Sequence, residues 1–235
     1  MRVKISLFGV SGIILGKHNL KDPRLDQADK LAEAEKKTCA QVDVVDEKEL
    51  STADAILTSR SSLSDLLMKD LDFVETRLSR DAGEAEKAVL QKLAEVLISE
   101  KPVSAAGLTA EELAAISAHN FFSSKPVIAA SDEELKAPET VLLRAYQESG
   151  WLCFLTVGGK ENRAWPIRAG ATAAEAAGTI HTDLQKGLVR AEVISFADFV
   201  EFGGETGAKR AGKMRPELKT YVMQDYDVVN FRSSK

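Results

Sequence analysis

The chain is poor in the residues that build stapled or metal-bound folds. It has 2 cysteines and 3 histidines in 235 residues. Cys39 and Cys153 lie far apart and neither belongs to a C-x-x-C pair. That excludes a disulfide framework and a cysteine-rich zinc site, and the expected setting is a reducing one, the cytoplasm. Both thiols read as inert and buried. His18, His119 and His181 form no H-E-x-x-H spacing, so no metal site is expected. Aromatic residues make up 6% of the chain, too few for many base-stacking platforms. No stretch approaches the roughly 20 apolar residues of a membrane-spanning helix, so no membrane partner is expected. Basic charge is short as well: 31 Lys and Arg face 36 Asp and Glu, a formal net charge of -5. A DNA-wrapping protein draws its affinity from a broad basic face, so DNA is not an expected partner.

What is present is ordinary globular composition, 44% hydrophobic and 29% charged, in a length suited to one large or two modest domains. The charge is uneven. Residues 151–235 hold 12 Lys and Arg against 10 Asp and Glu, and the first 150 hold 19 against 26. A local basic patch on the C-terminal third is compatible with that balance. Met1 to Lys4 followed by apolar Ile5 to Leu15 has the outline of a signal peptide, but no small-x-small cleavage site follows. A buried strand over Val3 to Phe8 is the favoured reading.

Residues 1–50 and 119–150 read as a reduced α/β region. Its strands are Val3 to Phe8, Ala40 to Val45 and Pro126 to Ala130. Residues 51–118 read as helical. Leu63, Leu67, Leu71, Val74 and Leu78 share one helix face, and Val89, Leu93, Val96 and Leu97 repeat the pattern after a polar break. Two such helices most simply pair antiparallel. Thr109-x-x-Glu112 is a capping box, with Leu108 and Leu113 placed for a hydrophobic staple. From Trp151 the pattern turns to β, with strands expected at Trp151 to Val157, Arg163 to Ile167 and Leu188 to Ile194. A helix after Thr172 is expected to end at Gly178 in a left-handed conformation. Tyr221 to Met223 and Val228 to Phe231 read as a final hairpin. Trp151 and Trp165 read as core anchors.

A phosphate loop needs G-x-x-x-x-G-K-[ST], whose backbone N–H groups cradle phosphates while the hydroxyl binds magnesium. Here six residues separate Gly9 from Gly16-Lys17, and His18 takes the hydroxyl position. The loop therefore reads as a structural turn. His181 beside Asp183 has no nucleophile at motif spacing and reads as structural; no catalytic residue is assigned.

The C-terminal third holds Lys160-Glu-Asn-Arg163-Ala-Trp165, Ala176-Ala-Gly178-Thr-Ile180-His181-Thr-Asp183, Lys186-Gly187-Leu-Val-Arg190, Ala211-Gly212-Lys213 and Tyr221-Val-x-Gln224-Asp225. This string closely resembles the C-terminal TGS-type domain of the YchF/Obg-like family of translation-associated P-loop ATPases and GTPases. The resemblance covers essentially all of residues 150–235, and departs from the family where Leu218 and Tyr226 replace glycines. It thins towards the N-terminus. Val42-Asp-Val-Val-Asp46 resembles the strand leading to D-x-x-G, but Glu49 takes the glycine position. Lys125 to Glu133 resembles the base-reading N-x-x-E segment, with Ala130 in place of the asparagine.

The resemblance implies an α+β chain: a TGS-like β-grasp domain at 151–235, after a shortened α/β remnant of a P-loop G domain that carries a helical hairpin at 51–118. It implies a remnant nucleotide site at Gly9, Gly16, Lys17 and Asp46, with each motif eroded. It also implies an RNA- or partner-binding surface over Arg168, Lys186, Arg190, Lys209, Arg210, Lys213 and Arg215. The expected function is a binding module that docks on RNA, the ribosome or a protein partner without turning nucleotide over, and no cofactor is expected. The alternative is an active ATPase or GTPase with an atypical loop, using Mg-ATP or Mg-GTP. The hairpin over 61–99 also offers apolar positions to a helical partner or a second copy, and the oligomeric state is open.

Overall fold

The computed structural model describes residues 3–80 and 83–234. In chain order the first half comprises β1 (Val3–Phe8), β2 (Gly16–Asn19), α1 (Pro23–Leu31), β3 (Lys36–Thr38), β4 (Gln41–Val45), β5 (Ala55–Ser59), α2 (Leu63–Leu78) and α3 (Glu84–Ile98). Then come α4 (Ala110–Ala115), β6 (Val127–Ala130), α5 (Asp132–Leu135) and α6 (Pro138–Glu148). The remainder is β7 (Trp151–Thr156), β8 (Glu161–Arg168), α7 (Ala173–Ile180), α8 (Thr182–Gly187), β9 (Leu188–Ile194), α9 (Phe196–Glu201), α10 (Glu205–Arg210), β10 (Arg215–Glu217) and β11 (Val228–Ser233). The molecule is a mixed α and β protein with two sheets.

Two compact units divide the chain. One holds residues 17–42 with 150–235, the other residues 4–16 with 43–149. The expected block 1–50 is thus split, because α1 and β3 pack with the C-terminal residues. Asn162 shows how: buried on β8, its side-chain amide donates to Asp29 Oδ1 at 2.7 Å and to the Ala32 carbonyl of the α1 end. β3 continues the sheet edge by pairing parallel to β8, Lys36 to Thr38 opposite Glu161 to Arg163. The sheet of this unit runs β10-β9-β11-β7-β8-β3. One face carries Phe154, Ile167, Ala191, Val193 and Val229 against Ala173 and Ala176 of α7.

In the other unit the strands lie in the order β4-β1-β5-β6. β1 pairs parallel with β5, and β5 parallel with β6. The expectation that 51–118 is wholly helical is corrected here. Ala55-Ile-Leu-Thr-Ser59 is a central strand with all five residues buried. A short apolar run flanked on both sides does not alternate, so its period cannot separate strand from helix. Helices α2 and α3 run antiparallel, as Arg77–Glu86 near the turn and Ser64–Glu100 at the far end require. Leu67, Leu71, Val74, Leu90, Leu93 and Leu97 form their shared core. Thr109 and Glu112 form their capping box, while Leu113 is 53% exposed and Leu108 alone of the expected staple pair packs on the core.

Two C-terminal expectations also change. α7 runs through Gly178 to Ile180; a Cβ on Gly178 would meet Gln185 Oε1 at 2.8 Å, so the glycine serves close approach of α8. The final hairpin does not form among the described residues. β11 pairs antiparallel with β9, and Val222 makes only a single bridge to Thr172. Asp227 explains the turn between: its carboxylate accepts from the Gln224 N–H and the Tyr221 hydroxyl, both at 2.9 Å, folding 221–227 into a compact loop.

Candidate functional site

In parallel α/β sheets, ligands bind beyond the carboxyl ends of the strands. Here the ends of β1, β5 and β6 lead into the loop at Gly9 to Gly12, the turn at Ser59 to Ser61 and the short helix α5 with Lys136. These line a cleft of about 440 Å³. Its chemistry departs from a phosphate cradle. Gly9 has φ +60°, yet a Cβ there would lie 2.3 Å from the Cβ of Ser62. The Ser62 side chain therefore fills the space that a side chain at Gly9 would take. Ser59 fixes that turn: its Oγ accepts from the Ser62 N–H at 3.1 Å, donates to the Ser62 hydroxyl at 2.8 Å and lies 3.0 Å from that of Ser61. Within the loop, Ile13 is buried and Ile14 and Leu15 are exposed.

The other three residues of the expected nucleotide remnant are placed elsewhere or spent. Gly16 and Lys17 begin strand β2, not a helix, and Lys17 is exposed. No helix N-terminus follows the loop to face an anion. Asp46 caps the short helical turn Glu47 to Glu49 by accepting from the Lys48 N–H at 3.0 Å. Glu49 pairs with Lys4 at 2.7 Å. Ala130 ends β6 fully buried, and Ser131 caps α5 in a box with Glu134. Alanine has no side-chain donor or acceptor to read a purine edge.

The seven expected surface cations do not form one patch. Strand register places them: Ala191, Val193, Val229 and Phe231 face α7, and Arg215 lies opposite Val193. Arg190 alternates to the other face, where Glu192 binds it and Arg232 at 3.0 and 2.9 Å. Arg215 pairs with Glu217 at 3.2 Å, and Lys213 with Asp198 at 3.1 Å. Arg168 lies over the Trp151 ring at 4.2 Å. Lys209 and Arg210 are exposed in the last turn of α10, favourable against its dipole, and Lys186 is exposed on α8. The densest region is thus 209–213, not a continuous stripe. Among the described residues no cluster of His, Cys, Asp or Glu is fit to hold a metal, and no helix is long and apolar enough to cross a membrane.

Sequence reasoning missed the cluster around Tyr226. That residue is buried at φ +62°, where the family resemblance expects glycine. Arg24 lies over its ring at 3.7 Å, Phe196 meets it edge-on, and its N–H donates to the Cys153 carbonyl. Burial pulls the Arg24 guanidinium down, yet Asp22 and Asp225 hold it above its usual range. Burial raises the Asp227 carboxyl, against the Gln224 N–H and Tyr221, and with Asp227 it pushes Tyr221 up to about 12. The only signal available beforehand was Tyr226 at a glycine position.

Fold and loops together define a two-sheet α/β protein with a parallel-stranded unit that carries a helical hairpin, and a C-terminal β-rich unit. The family model described as YchF-GTPase_C matches residues 152–234. The ribosome-binding ATPase YchF of Haemophilus influenzae is 32% identical over 231 residues, covering 72% of this chain and 64% of that protein. The protein of the same name from Escherichia coli O157:H7 is 53% identical over 91 residues, 39% of this chain and 25% of its own length. Obg-like ATPase 1 of Danio rerio is 48% identical over 79 residues, 34% of this chain and 20% of its own. The solved structure of the Schizosaccharomyces pombe YchF GTPase superposes with a TM-score of 0.75 at 18% identity, covering 98% of each chain, a likeness of fold. The chain is a relative of the YchF/Obg-like proteins, and it spans under two thirds of the length of the curated relatives it matches.

Proposed function

We propose that this chain is a ribosome-associated binding module that does not turn over nucleotide. The TGS-like identity of residues 151–235 and the G-domain ancestry of the parallel sheet are part of that reading. One observation carries it: Gly16 and Lys17 enter strand β2, so the glycine loop is not followed by a helix N-terminus that would receive a triphosphate. The use of Asp46 as a cap and the buried Ala130 support it from two further motifs. Ribosome docking follows from the names of the relatives and from the exposed cations Lys186, Lys209 and Arg210. Co-sedimentation of the purified chain with ribosomes tests it. The module pellets with ribosomes without added nucleotide and is released as salt rises, as phosphate contacts require. Failure to pellet at low salt, with and without nucleotide, contradicts the docking.

The rival reading is an ATPase or GTPase with an atypical loop. The polar cleft that survives beside Gly9, Gly12 and Lys136 favours it. It requires phosphate release that disappears in Lys17→Ala.

A further inference from the structure

A second polar cleft, of about 320 Å³, opens where β3 leaves the edge of β8. Cys39 and Gln41 come from the segment entering β4, Arg163, Trp165 and Pro166 from β8, and Thr179 from α7. The parallel pairing of β3 stops at Thr38 opposite Arg163, so the edge of β8 beyond it is open. The central carbon of the Arg163 guanidinium lies over Trp165, 3.8 Å from its ring centre. Buried Phe154 lies near-parallel to Trp165, with an interplanar angle of 12°. The Trp165 indole is held in that plane by its N–H donating to Thr156 Oγ1 at 2.9 Å. Arg163 is the solvent end of this set, with 38% of its side chain exposed and Glu161 no closer than 3.8 Å.

A planar cation backed by a fixed indole is a surface on which a flat heteroaromatic ring stacks, and a guanidinium plane stacks bases as aromatic rings do. Gln41 adds an edge reader. Its amide nitrogen donates to Asn19 at 2.8 Å, which fixes the side chain and leaves the amide oxygen's acceptor capacity for a base N–H. We infer that this cleft takes one unstacked base of single-stranded RNA, stacked on Arg163 and read by Gln41. The inference rests on the ribosome-docking reading and names the chemistry by which one nucleotide is held.

The test uses the full chain and a labelled uridine octamer, beside an octamer of the same backbone lacking bases. Anisotropy reads total binding, and Trp165 emission in a Trp151→Phe background reads the cleft. In the unaltered chain, the rate at which N-ethylmaleimide modifies Cys39, half-buried where a buried thiol was expected, gives a second reading, since Cys153 is buried. The octamer quenches Trp165, slows Cys39 modification, and binds about ten-fold more tightly than the abasic strand. Arg163→Lys, which keeps the charge but loses the plane, removes that advantage, and Gln41→Ala reduces it. Binding without quenching or protection, equal for the two strands and unchanged by Arg163→Lys, overturns the cleft while the docking reading stands. No anisotropy change with either strand overturns the cleft, and ribosome co-sedimentation then decides the docking reading separately.

Discussion

The Arg24 guanidinium lies 3.7 Å over the ring of Tyr226 while bonding Asp225 at 2.7 Å and Asp22 at 2.8 Å. Tyr226 holds φ +62°, a conformation that costs a non-glycine residue on the order of 1–2 kcal/mol. The turn has kept a glycine geometry and gained a side chain, and Arg24 is what that side chain packs on. Arg24→Ala removes the stack and leaves the buried Asp22 without its cation. The expected loss is about 1–3 kcal/mol in urea unfolding. Tyr226→Gly relieves the backbone yet also loses stability, because a buried ring is lost. The double variant is less destabilised than the sum of the two singles, since each removes the same contact.

Asp70 is the anchor of the helical hairpin. Its carboxylate, 2% exposed, accepts from the N–H groups of Phe122 and Ser123 at 2.8 Å and from the Ser123 hydroxyl at 2.6 Å. Asp70→Ala strands those donors in the interior. We expect a loss of about 2–4 kcal/mol in chemical denaturation. Asp70→Asn is milder, because one oxygen still accepts.

Glu86 gives a pH signature. Arg77 first, and then His119, hold its carboxyl down to about 2 from an ordinary 4.5. A depressed carboxyl contributes stability that is fully present above 4.5 and lost as pH falls towards 2. Thermal unfolding of the wild type and of Glu86→Gln therefore converges across that window and stays apart above it. A gap that is constant down to pH 2 contradicts the assigned network.

Much of this fold was legible because its signals are local. The β1 strand, the α2 and α3 faces and the capping boxes at Thr109 and Thr172 depend on residues within a few positions of one another. β5 was hidden because a central parallel strand is apolar throughout and carries no alternation. β3 was hidden because Lys36-Lys37-Thr38 is strand only through pairing with β8, about 125 residues later in sequence. The site divides the same way. Wrong glycine spacing and the missing asparagine were visible directly in the chain. That Ser62 takes the side-chain space at Gly9, or that register sends Arg190 and Arg215 to opposite faces, follows only from tertiary placement.

Gly9→Ala probes the loop itself. The new methyl enters the Ser62 side chain at φ +60°, so both contact and backbone oppose it. Loss of stability is expected at about 2–4 kcal/mol. Adding Ser62→Gly recovers the part due to contact and leaves the part due to φ.

Calorimetric titration of the full chain with Mg-ATP and with Mg-GTP tests most directly the proposal that the chain has no working triphosphate site. The strand β2 that follows the glycine loop and the spent Asp46 predict no saturable heat for either nucleotide at micromolar concentrations. A sub-micromolar, magnesium-dependent affinity that falls in Lys17→Ala contradicts the account.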